Sequence, residues 1–257
     1  MKTYSEYFSK LVPHKEFDPN AFIGNKDIPQ ELCNFILALA LAHNDYKHYT
    51  MIFIMLIESQ PEGPQQRNSM FGEYAGIKFH IIRLHIGFVH ELLQLIKSNK
   101  NILTNHFFKE VIRVLNPKAR KSWGDLVEVA LAKESTPRKS NPLYMIRNKV
   151  AFHYDAKELY SGYNNGFFKN GKVTQKACLS EGNTLCSSRF YFADLAIQGY
   201  MEKELDVDGD RFFASLSQIM NDINIALHNI CITFIQRRNF AWQYPRKEQC
   251  SRLNKSR

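Results

Sequence analysis

The stretch "IPQELCNFILALALAHNDYKHYTMIFIMLIESQ", residues 28–60, constrains the fold most. It has no glycine, and its single proline, Pro29, sits where a first helical turn tolerates one. The spacing predicts one long helix, or two with a bend near Asn44, with Asp27 as N-cap. Eight mostly polar residues, "HNDYKHYT", interrupt its apolar run, so the segment cannot cross a bilayer and reads as a buried helix. "PEGPQQRN" ends it, and a second long helix is expected from about Ser69 to Lys97, with Ile81, Leu84, Phe88, Leu92 and Leu95 in period.

Further helical patterns follow. "NHFFKEVIRVL" stops at Asn116-Pro117, and "PKARKSWGDLVEVALAKES" ends before Pro137. "STPRKSNP" is a basic loop in which Asn141 caps, and Pro142 opens, a helix expected to run to about Tyr160. Between about 162 and 193, Asn-Gly turns and short β-prone runs predict a small hairpin or loop insertion. "DVDGDRFFASLSQIMNDINIALHNICITFIQRRNF" restores helix, with Phe213, Leu216, Met220, Ile223, Leu227 and Ile230 in period. The expected architecture is all-α: an irregular segment over 1–27, a helical bundle with one insertion over 28–244, and a flexible basic tail over 245–257.

The formal net charge is +9 and the isoelectric point about 9.2, a balance that favours polyanionic partners. The excess is uneven: the tail "YPRKEQCSRLNKSR" holds five basic residues and one acid, and "NPKARKSW" and "STPRKSNP" hold much of the rest. Five dispersed cysteines without a CxxC pair read as reduced thiols of a cytoplasmic protein, and "MKTYSEYFSK" lacks the apolar core of a signal peptide.

Most familiar chemistries find no foothold. His80, His85 and His90 are five apart, as are His43 and His48, whereas two metal ligands on one helix need i, i+4 spacing. "GEYAG" is not a phosphate loop, "DVDGD" lacks the rest of a calcium loop, and no serine sits in GxSxG. No metal or cofactor is expected.

"RNKVAFHYD" stands apart. Arg147 supplies a fixed charge that forks onto phosphate oxygens, His153 titrates near neutral pH, and Asn148 can hydrogen-bond a phosphate or orient the histidine. These groups suffice for metal-free RNA cleavage: a base takes the 2′-OH proton, the oxygen attacks the adjacent phosphorus, and an acid protonates the leaving 5′-oxygen. Six steps on a straight helix leave His153 about 120° from Arg147, so a bend or a second copy of the motif is needed to focus both on one phosphate. Spacing alone is weak evidence, since "RLHIGFVH" sets Arg83 and His90 seven apart.

"RNKVAFH" resembles the Arg-x4–6-His signature of the HEPN superfamily (higher eukaryotes and prokaryotes nucleotide-binding domains), in which the residue after Arg is typically Asn, Asp or His. Leu84 makes "RLHIGFVH" the poorer match, and His153-Tyr154-Asp155 departs from the subgroup with His-x-Tyr after the motif. The resemblance implies an all-α, metal-independent endoribonuclease that dimerises to bring two motifs together, of the kind used as prokaryotic toxins or defence effectors. It further implies Arg147 and His153 as catalytic and Asn148 as positioning, with Tyr154 and Asp155 in support. RNA is the expected partner, reached through Lys118, Arg120, Lys121, Arg138 and Lys139, and an antitoxin or defence-system protein is a further one. The alternative is a helical module that binds nucleotide, RNA or protein without cleaving.

Overall fold

The computed structural model describes residues 15–62, 69–132, 155–181, 184, 188–205 and 209–238. Among these, seven α-helices and one two-stranded hairpin form an all-α fold with a small non-helical excursion. The helices are α1 (Gln30–Glu58), α2 (Ser69–Ser98), α3 (His106–Arg113), α4 (Pro117–Leu131), α5 (Ala156–Phe167), α6 (Tyr191–Leu205) and α7 (Gly209–Arg237). No helix among the described residues is long and apolar enough to cross a membrane.

Local chemistry sets most boundaries. Asn105 and Asn116 cap α3 and α4 by accepting from Phe108 N (3.1 Å) and Ala119 N (2.9 Å), the usual role of an Asn side chain at a helix start. The expected cap of α1 is corrected: Pro29 occupies the N-cap position without a side-chain bond. The Asn25 side chain instead accepts from Asp27 N and Ile28 N, and Gln30 accepts from Gly24 N. α1 then runs without a break at Asn44.

α1, α2, α4 and α7 form the main bundle, and α3 lies against α7. Leu32, Ile36, Ile86, Leu126, Leu227 and Phe234 are among the fully buried side chains at its centre. Phe35, Phe108 and Trp123 meet edge-on, with centroids 5.8–6.5 Å apart, and join α1, α3 and α4. One polar link crosses this core: Ser122 donates to Asp222 (2.6 Å), whose other oxygen accepts from Gln218 (3.0 Å), which satisfies a carboxylate that burial would otherwise penalise. Arg238 ties down the segment before α1 by donating to the carbonyls of Asn20, Ala21 and Ile23 around the 3-10 turn Pro19–Phe22.

The insertion is narrower than the sequence predicts. Helix continues to Phe167, β1 (Phe168–Lys169) and β2 (Lys172–Val173) form the hairpin, and helix resumes at Tyr191. Asn170 (φ 51°) and Gly171 (φ 72°) make its turn, as an Asn-Gly pair with two left-handed residues should. α5 and α6, on either side, pack backbone to backbone. A Cβ on Gly162 would meet the Ala196 carbonyl oxygen and lie 2.6 Å from Tyr200 N, and one on Gly199 would meet the Gly162 carbonyl oxygen. Asn165 donates across the same contact to Gly199 O (2.9 Å).

Gly162→Ala is therefore expected to lower stability by about 3 kcal/mol, because backbone cannot give way as a side-chain tip can. Gly124→Ala, on α4 with no atom within 4 Å of the new methyl, should instead raise stability by about 0.5–1 kcal/mol through helix propensity. Urea midpoints of the two variants check both signs.

Candidate functional site

The helix expected from Asn141 to Tyr160 does not pass uninterrupted through its last turn. Asp155 is extended (φ −69°, ψ 103°) and is the N-cap of α5, its carboxylate accepting from Lys157 N (3.1 Å) and Glu158 N (3.3 Å). Asp155 thus starts the helix that follows the motif. Arg147, Asn148, His153 and Tyr154 lie outside the described residues, as do Arg138 and Lys139.

The other three expected RNA-binding residues occupy the first turns of α4. Lys118 is exposed and forms no ion pair with the described residues. Arg120 donates to the Leu115 carbonyl oxygen (3.1 Å), and Lys121 pairs with Asp125 (2.6 Å), which raises the lysine's pKa by hydrogen bonding and charge. The first turn of α4 contains no acid. Cations at this end of a helix oppose its macrodipole, an arrangement that an incoming anion relieves.

A second feature is a cavity of about 1130 Å³ that the sequence did not announce. Tyr46 and Phe53 of α1, Phe71 and Phe79 of α2, and Leu216 and Met220 of α7 form apolar parts of its wall. Cys178 and Leu179 of the crossover before α6, with Tyr191 and Phe192 at the start of α6, close another side. That crossover is latched to α2 at "GEYAG", whose glycines serve as seats. The Tyr191 ring covers Gly72, where a Cβ would lie 2.6 Å from it, and the Arg189 guanidinium lies where a Cβ of Gly76 would be. Arg189 donates to Glu73 (2.8 Å) and Asp194 (3.1 Å), while Tyr191 and Ser180 share a hydrogen bond of 2.8 Å.

The five-residue histidine spacing on α2 has a clear outcome: His80 is exposed, His90 half-buried, and His85 only 3% exposed in the cavity wall. His85 donates from Nδ1 to the Ile81 carbonyl oxygen (2.9 Å), since a carbonyl can only accept. Its Nε2 therefore carries a lone pair, and no donor reaches it among the described residues. Burial lowers the His85 pKa, and burial also leads the lowering at His43 and His80. Burial pushes the Cys231 thiol up to about 12 and raises Cys33 as well. Among the described residues no group of three or more His, Cys, Asp or Glu is placed to hold a metal ion.

Comparison with known family models, with curated proteins and with solved structures finds no match to this chain.

A histidine whose folded pKa lies below its unfolded value binds fewer protons when folded, so it weakens the native state as pH falls below the unfolded value of about 6.5. Stability should be highest above that pH and decline between pH 6.5 and the lower folded values of His43, His80 and His85. His85→Phe should make this decline shallower without abolishing it. Urea midpoints between pH 5 and 8 measure both slopes.

Proposed function

We propose that the protein is a metal-independent endoribonuclease of HEPN type, cleaving RNA by 2′-OH attack to leave 2′,3′-cyclic phosphate ends. The observation that carries this is the "RNKVAFH" motif, Arg147 to His153, within a chain whose described residues form an all-α fold. The motif leads directly into the capped start of α5, and the exposed Lys118, in a first turn of α4 that holds no acid, supports a polyanionic substrate. In this reading His153 moves the proton, Arg147 steadies charge on the phosphoryl oxygens and Asn148 orients its neighbours. Such an enzyme suits a toxin or defence effector held in check by a partner protein in the cytoplasm.

A homodimer belongs to the same proposal, because a second copy would repair the offset of about 120° that a straight helix would set between positions six residues apart. One stripe of α1 supports it: Leu37, Leu41, Asn44, His48 and Ile52 share a helical face and all are exposed, Leu41 by 62%. Sedimentation should show a dimer, and a strict monomer with and without RNA counts against it.

Purified protein incubated with RNA in EDTA should cleave it. Arg147→Ala and His153→Ala should each lower the rate by about a hundredfold to ten-thousandfold, while Arg83→Ala and His90→Ala should change it little. Lys118→Glu should weaken RNA retention on a filter and flatten its salt dependence by about one unit of slope. Undiminished cleavage by folded His153→Ala protein removes the catalytic claim. Binding without cleavage by the wild type leaves a nucleic-acid-binding module in its place.

A further inference from the structure

The cavity of about 1130 Å³ opens to solvent, with Ala75, Lys176, Cys178 and Leu179 exposed along it, and so has the form of a ligand cleft. The volume is that of a site for a drug-sized organic molecule, and its wall has the composition of one, largely aromatic and aliphatic with a few polar groups. His85 is the group that the fold does not explain. Its ring is buried in this wall, its tautomer is fixed by the Nδ1 bond to Ile81, and Nε2 is left as an acceptor without a donor among the described residues. A buried acceptor without a partner costs free energy that a ligand's donor would recover.

We propose that the cavity between α1, α2, α6, α7 and the crossover before α6 binds a non-cationic, largely apolar small molecule whose hydroxyl or N–H donates to His85 Nε2. Two observations fix the polarity of that ligand. The acceptor has no proton of its own to give, so the ligand must supply the donor. Asp194 is the one acid among the described wall residues, and its carboxylate is committed to Arg189, whereas Lys78 and Lys176 are also in the wall. A cationic ligand therefore finds no counter-charge. Phe53, a half-buried ring, both lines the cavity and meets the His85 ring nearly edge-on at 5.9 Å. Nε2 itself has no exposed surface, so the proposed binding includes a turn of Phe53 that admits the ligand. None of these residues belongs to the RNA-cleaving motif, so the site stands or falls apart from the proposed nuclease activity.

Calorimetric titration with 2-naphthol and with 2-methoxynaphthalene tests the proposal, since the two share an apolar body and only the first has a donor. Wild-type protein should bind 2-naphthol about tenfold more tightly than the ether, as one hydrogen bond between neutral groups allows. His85→Phe, which keeps a ring and removes the acceptor, should bind 2-naphthol no better than the ether. Ala75→Trp, at an exposed wall position of α2, should weaken both. If His85→Phe does not fold, nitrogen NMR of labelled histidine in the wild type decides the point: 2-naphthol should shift the unprotonated Nε2 resonance of His85, and the ether should not. Equal affinity for the two compounds, no binding of either, wild-type affinity in folded His85→Phe protein, or an unmoved Nε2 signal overturns it.

Discussion

The close approach of α5 and α6 is the contact on which the rest of the second half of the chain depends. Gly162, Gly166 and Gly199 let the two backbones meet, with Gly166 against Leu195 and Gly199 against both α5 glycines. No other residue type permits this, because a methyl group at Gly162 or Gly199 would overlap a carbonyl oxygen of the facing helix. α6 then packs on α2. The capped start of α5, which follows the Arg147–His153 motif, and the crossover that walls the cavity are both placed by it.

A polar latch completes that placement. Arg189 is largely buried between Glu73 and Asp194, and it reaches them only because Gly76 leaves room for its guanidinium. Two acids around one arginine, with its planar fork satisfied on both sides, hold better than a single exposed pair would. The latch and the Tyr191–Ser180 bond fix one wall of the cavity, while α1 and α2 supply the opposite one. The main bundle needs none of this, since its aromatic cluster and the Ser122–Asp222 link lie among α1, α3, α4 and α7.

Much of the fold was legible because it is local. α2, α3 and α4 begin where their sequence patterns do, and Asn116 with Pro117 marks the start of α4 without reference to any other segment. The same local logic misplaced the insertion. Asn165-Gly166 has the composition of a turn yet lies inside α5, because its glycine packs on α6 and its asparagine donates there. Asn170-Gly171, five residues later, is the turn. One dipeptide took two conformations, and a neighbouring helix chose between them.

By itself the sequence determined the helical class and the caps of α3 and α4, and it carries the residues, Arg147, Asn148 and His153, on which the proposed RNA cleavage rests. Its five-residue spacing also turns successive histidines of α2 to different faces, as a helix must. Tertiary structure alone decided that one of those histidines, His85, would be buried with a fixed tautomer and an idle acceptor, and that "GEYAG" would seat an arginine and a tyrosine. The physical reason is range. Periodicity and capping act within a few residues of the same helix, whereas a cavity wall, a glycine seat and an unmet hydrogen bond exist only once segments more than a hundred residues apart have packed together.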